Sequence, residues 1–324
     1  MMRKLGLSLC TVLIVLSIGE AICRTLWSVG DLQLSPENAH LRDHPTRLWV
    51  QAQNLDIELP EHGRLQTNEL GFRDGPVSIP KPAIQYRILS LGESSTWGHG
   101  VRAEETYSAV LQRILNRSGL SVRVINAGIP AYTVQQSAVF LEEEGARLQP
   151  DVVLVYHQTN DFLPAHAVDN HNPLVRLTGN DREMIERRRP LAPLLSALFH
   201  SRLYLAVRNG MLKLPTSLPQ ADAVTDGPVR VPAEDRTAAL NSMLRSANAM
   251  GAKLVIVQPM YAIDHTQDSL LRDWTVQHQQ TYVETDSIRT SILPQIQRMY
   301  LPDGVHPRPR AHRLIAEQIA ASLR

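Results

Sequence analysis

The chain has 324 residues, enough for one large domain with an appendage or for two domains of roughly 100–200 residues each. Hydrophobic residues make up 43% and charged residues 20%, a globular composition that excludes a disordered or collagen-like chain. Lys plus Arg number 33 against 32 Asp plus Glu, so a formal charge of +1 supplies no strong field, and no nucleic-acid partner is expected. The two cysteines, Cys10 and Cys23, lie near the amino terminus. The body of the chain therefore has neither a disulfide framework nor a cysteine-ligated metal site.

The amino terminus begins with Arg3 and Lys4, followed by an apolar run over 5–18 and then Gly19-Glu20-Ala21-Ile22-Cys23. A basic start before an apolar stretch of about 7–15 residues is the layout of an export signal. Residues 1–23 predict either an uncleaved signal anchor or a signal peptide cleaved near Gly19-x-Ala21. In both cases the bulk of the chain is expected outside the cytoplasm, periplasmic or extracellular, with the membrane as partner of the amino-terminal segment. A cysteine-free body suits an oxidising compartment.

Residues 24–80 read as a stalk and irregular extension, punctuated by Pro36, Pro45, Pro60, Pro76 and Pro80. Alternation of strand and helix then begins. Residues 86–91 predict a strand ending at Gly92, and Tyr107, Val110, Leu111, Ile114 and Leu115 mark one apolar face of a helix over 104–116. Strands follow at 122–128, 151–156 and 253–257, with helices at 134–148, 235–250 and 310–323. Such alternation implies βαβ units, a parallel sheet, and a ligand site outside the carboxyl ends of its strands. Residues 163–232 interrupt the rhythm. Their apolar helical part, 190–212, has more large side chains than one face against a sheet requires, and reads as a cap over the site or a membrane-contacting surface.

The chemistry-bearing residues fall at the strand ends. Gly92-Glu93-Ser94-Ser95-Thr96-Trp97-Gly98 is a strand-to-helix turn, but His99 follows Gly98, so it lacks the Gly-Lys-Ser/Thr of a phosphate loop. Thr96 also departs from G-x-S-x-G. A nucleophilic serine needs a base, and the base needs an orienting carboxylate. Asp303-Gly304-Val305-His306 offers both, at a spacing that lets Asp303 reach one imidazole nitrogen and leaves the other for Ser94. The oxyanion of an acyl-transfer intermediate needs donors. Candidates are the N–H groups of Ser94 and Gly128 and the side-chain amide of Asn160. His99 and His157 flank these residues and read as packing groups. His166, Asp169 and His171 have the residue types of a metal cluster in an ordinary polar loop, and Arg308, Arg310 and Arg313 read as a solvated face.

Gly92-Glu93-Ser94, Asn126-Ala127-Gly128, Asn160-Asp161 and Asp303-x-x-His306 resemble, in order and spacing, the SGNH/GDSL hydrolase family over about residues 86–324. The four letters of that name would be Ser94, Gly128, Asn160 and His306. Asn68-x-x-Gly71-Phe72-Arg73 is similar to the lead-in of its membrane-anchored bacterial members. Glu93, Gln158 and Ala311 depart from a usual Asp, a usual Gly and a frequent Gly. The resemblance implies an α/β fold, a flavodoxin-like α/β/α sandwich with a parallel sheet, as residues 81–324 after the amino-terminal hydrophobic helix. It implies an exported serine esterase that hydrolyses an O-acyl ester through an acyl-serine, with Ser94, His306 and Asp303 as triad and no cofactor or metal. The expected partner is an acyl-ester substrate, an acylated polysaccharide or lipid among the possibilities. Two alternatives stay open: an O-acyltransferase acting on an exported polysaccharide with the same triad, and a catalytically silent membrane-anchored binding module.

Overall fold

The structure, a computed structural model, describes residues 2–27, 40–59, 63–117, 119–167, 178–212, 218, 227–261, 269–292 and 295–323. Helix α1 (Met2–Leu26) opens the chain. Among the described residues, no helix is long and apolar enough to cross a membrane.

Residues 41–66, within the segment read from the sequence as an irregular extension, hold two antiparallel hairpins. One pairs β1 (Leu41–His44) with β2 (Leu48–Gln51), the other β3 (Asp56–Leu59) with β4 (Gly63–Gln66). Strands of four residues separated by turns carry too little periodicity to be distinguished from loop. Buried Leu41, Trp49, Leu59 and Leu65 bind these hairpins to the body.

A five-stranded parallel sheet forms the centre: β5 (Tyr86–Gly92), β6 (Val122–Gly128), β7 (Val152–Tyr156), β8 (Lys253–Val257) and β9 (Thr281–Val283). The order is β6-β5-β7-β8-β9. That is the flavodoxin-like winding, in which the connections leave in opposite directions from the first strand and open a crevice beside its end. The helices are α2 (Ser94–Trp97), α3 (Tyr107–Arg117), α4 (Val134–Leu148), α5 (Asp181–Arg188), α6 (Ala192–Phe199), α7 (Arg202–Leu212), α8 (Ala233–Ala249), α9 (Leu270–Gln277), α10 (Asp286–Ile292), α11 (Ile296–Met299) and α12 (Pro309–Ser322).

Alternate strand residues face opposite layers. Leu89, Leu91, Val153, Val155 and Ile256 pack with Phe140 and Leu141 of α4, Leu240 and Met243 of α8 and Trp274 of α9. Ile88, Val152, Leu154 and Val255 pack with Leu111 of α3 and Ile315 and Ile319 of α12. Burial on both sides explains why β7 reads Val-Val-Leu-Val-Tyr with no polar alternation. The interruption at 163–232 returns beside its own start. Arg230 N–H donates to the Leu163 carbonyl and Val231 N–H to the Asp161 carbonyl, and the fully buried Arg230 guanidinium pairs with Asp181 at 2.9 Å.

Candidate active site

The site is assembled at the carboxyl ends of β5, β6 and β7. Gly92 ends β5, and a Cβ there would lie 1.9 Å from Thr96 Oγ1 and 2.9 Å from the Tyr156 carbonyl oxygen. Only glycine lets α2 fold back so closely over its strand. Ser94 is then the first residue of α2. Its N–H, at a helix start, has no intrahelical acceptor.

His306 arrives on the loop before α12. Asp303 Oδ1 accepts the N–H groups of Val305 (2.8 Å) and His306 (2.9 Å), which winds the loop into a tight turn. Asp303 Oδ2 lies 2.8 Å from His306 Nδ1. The other ring nitrogen, Nε2, lies 2.7 Å from Ser94 Oγ. Burial pushes the Asp303 carboxyl up, but hydrogen bonds from the His306 ring and from the His306 and Val305 N–H groups hold it well below the usual carboxylate range. It is thus an anion facing the imidazole. The ring of His99 lies against that of His306, with centroids 4.2 Å apart. His99, which reads from the sequence as a packing group, packs against this imidazole.

Asn160 stands in the short turn after β7, and its side-chain amide donates to the Tyr132 carbonyl at 3.0 Å. One amide hydrogen remains for another acceptor. Gly128 ends β6 beside α2. Its N–H donates to Asn126 Oδ1 at 3.1 Å, and a Cβ on it would abut the Trp97 nitrogen at 2.4 Å. The residue lets the strand end pack closely against α2. Ala131, farther along the same loop, has φ 61°, a left-handed conformation uncommon outside glycine. It adjoins Tyr132, the partner of Asn160. Its deviation is set by tertiary contacts and has no signal in the sequence.

Glu93 lies under the site, fully buried. It accepts the Tyr261 hydroxyl at 2.5 Å and the Asn160 N–H at 3.3 Å. Burial raises its pKa to about 7. Asp161, next to Asn160, accepts the Val134 N–H at 2.9 Å and so caps α4. Its pKa is also raised to about 7 by burial, against the nearby Arg236. His157 is buried with Nε2 2.8 Å from Ser137 Oγ, and burial lowers its pKa to about 3. It is a neutral packing group. Arg308 donates through Nε to the Tyr300 carbonyl, and Arg313 pairs with Glu317 on the surface. Among the described residues, no group of three or more His, Cys, Asp or Glu side chains is placed to hold a metal ion. Asp169 and His171 lie outside the described residues.

The extension holds both sides of this crevice. Asn68 accepts the N–H groups of Leu70 and Phe72 and donates to the Gly75 carbonyl. Gly71 has φ 81°, and a Cβ there would stand 2.4 Å from the Gln51 carbonyl oxygen. That turn delivers Arg73, which donates to the carbonyls of Gly98 (2.7 Å) and Val101 (2.8 Å) just past α2. Asp74 accepts the Asn126 N–H at 2.9 Å. Trp97 donates to Gln51 of β2, and Trp49 of β2 exchanges hydrogen bonds with the Pro130–Tyr132 loop.

The sequence model of the GDSL-like lipase/acylhydrolase family matches residues 90–314, well over half of the chain. Among solved structures, TesA is 17% identical, covering 74% of this chain and 98% of its own, with a TM-score of 0.46. Axe2, an acetylxylan esterase from Geobacillus stearothermophilus, is 17% identical over 75% of this chain and 96% of its own, with a TM-score of 0.45. The psychrotrophic esterase EstA from Pseudoalteromonas sp. is 14% identical over 73% and 96%, with a TM-score of 0.46. No curated protein matches the chain.

Proposed function

The chain belongs to the GDSL-like lipase/acylhydrolase family and is a hydrolase of ester bonds, and from that premise we propose a serine esterase that splits an O-acyl ester through an acyl-enzyme on Ser94. The observation that carries this reading is the run of two hydrogen bonds, Ser94 Oγ to His306 Nε2 at 2.7 Å and His306 Nδ1 to Asp303 at 2.8 Å. Ser94 Oγ attacks the acyl carbon while His306 Nε2 takes its proton. Asp303 holds the ring orientation and faces the imidazolium that forms. The oxyanion is held by the N–H groups of Ser94 and Gly128, the latter exchanging its Asn126 Oδ1 acceptor for the oxyanion, and by the free amide hydrogen of Asn160. His306 then gives its proton to the departing alcohol. Water, deprotonated by the same ring, releases the acid and restores Ser94.

The location is part of the same proposal. Residues 1–23 hold the chain at the cell membrane, and the catalytic body is periplasmic or extracellular. Support comes from the basic start followed by an apolar run and from the exposure of Val12, Leu13, Ile14, Val15 and Leu16 around α1. Hydrolysis of a small aryl acetate, retained by the wild type and abolished in Ser94→Ala, tests the chemistry. Digestion of the catalytic body by protease added to spheroplasts tests the location.

A further inference from the structure

Helix α1 is not a free tether. Gly19 meets Leu203 of α7 so closely that an added Cβ would lie 3.1 Å from its Cδ2. Cys23 is buried. The Glu20 carboxylate accepts the Ser201 hydroxyl at 2.8 Å and the N–H groups of Arg202 (3.0 Å) and Leu203 (2.9 Å). These N–H groups open α7 and have no intrahelical acceptor, so a side chain from another helix performs the cap. Its negative charge also faces the positive end of the α7 dipole. Arg24 donates to the His200 carbonyl at 3.0 Å and pairs with Glu20 at 2.7 Å, and the Arg202 guanidinium donates to the Trp27 carbonyl.

Two apolar surfaces adjoin this joint. On α1, the consecutive residues Val12 to Leu16 are each at least 50% exposed. At 100° per residue they circle the helix, and a helix apolar all round is at home only in an apolar surrounding. On α7, Val207 and Met211 follow Leu203 at intervals of four and so continue the face that meets α1, yet they are 57% and 63% exposed. Leu191 and Leu194, at the start of α6, are also exposed, beside exposed Arg189. Apolar side chains next to arginine suit the boundary of acyl chains and anionic headgroups.

We propose that α1 is retained in the mature protein and, through Glu20, holds the α6–α7 hairpin against the bilayer as a second, interfacial contact. This rests on the membrane-anchor reading and deepens it. Glu20, an awkward residue in an apolar segment, is the pin that sets the catalytic body at a fixed orientation to the lipid surface. Cleavage at Ala21 would remove it and uncap α7.

The test uses the full chain with Cys10→Ser and Cys23→Ala, carrying single cysteines labelled with the fluorophore NBD. It is reconstituted in vesicles of phosphatidylethanolamine and phosphatidylglycerol and exposed to dithionite from the aqueous side. Probes at Leu194→Cys and Val207→Cys are expected to bleach several-fold more slowly than one at Leu120→Cys, an exposed control away from the hairpin. Glu20→Ala should raise bleaching at Val207→Cys to the control rate while hydrolysis of a soluble ester is unchanged, which shows that the body stays folded. A probe at Cys10, in a chain that keeps this cysteine and carries Cys23→Ala alone, separates the two readings. If Cys10 is shielded but Leu194→Cys and Val207→Cys bleach like the control, the interfacial contact is wrong and the anchor stands. If Cys10 also bleaches freely, the anchor itself fails. Shielding of Val207→Cys in lipid-free, oligomeric protein would make a second copy the occupant and overturn the proposal.

Discussion

Arg73 lies over the indole of Trp97, its guanidinium carbon 4.5 Å from the ring, and Trp97 ends the four-residue helix that Ser94 begins. The same guanidinium donates to the Gly98 and Val101 carbonyls. A helix this short has almost no stability of its own. Its place is set by Arg73 from one side and by the packing of Gly92 and Gly128 from below. Arg73→Met should therefore lower kcat by about 10–100-fold, with a smaller change in KM, because the nucleophile loses register with His306. Steady-state kinetics on an aryl acetate check this. A variant that loses stability yet keeps wild-type kcat at low temperature would leave Arg73 a purely structural residue.

Ser94→Ala and His306→Ala should each remove nearly all hydrolysis, and the double variant should be hardly worse than either, since the pair acts as a unit. Asn160→Ala should cut kcat by about 10²–10³, the usual loss for one oxyanion donor. An effect of Asn160→Ala confined to KM would put that amide in substrate binding instead.

The sheet, α4, the strand-end positions of Ser94 and Asn160 and the place of His306 just before the last helix were legible in the sequence, because buried parallel strands are continuous apolar runs and site residues recur at their ends. β5 and β6 end at Gly92 and Gly128, as their patterns predict. The hairpins of the extension were hidden because four-residue strands carry little pattern, and β9 because Thr-Tyr-Val is only three residues long. The contact of His99 with His306 and the reach of Arg73 to α2 were equally hidden. Each depends on partners dozens to hundreds of residues away, which no local spacing encodes.

Arg230 and Asp181 are fully buried and also bind Gln136, Ala131 and Thr133 beside the site. Arg230→Met should cost about 3–5 kcal/mol, because Asp181 is left as an uncompensated buried charge. Adding Asp181→Leu should recover much of that loss. Urea unfolding measures both, and a double variant no more stable than the single one would contradict the pairing.

Burial raises the Glu93 pKa from 4.5 to about 7. Between those values the folded state binds more protons than the unfolded chain, so this group's contribution to stability falls as pH rises through the window. Glu93→Gln removes that term. Its stability relative to wild type should therefore be greater at about pH 8 than at about pH 5, by urea unfolding at both. The opposite order would mean that Glu93 is held ionised by its partners.

The most direct measurement is reaction of the wild-type chain with a fluorophosphonate probe, followed by intact mass and peptide mapping. The adduct should fall on Ser94. It should vanish in Ser94→Ala and be strongly slowed in His306→Ala. Labelling of Ser94→Ala at the wild-type rate, or an adduct on another residue, would contradict the acyl-serine account.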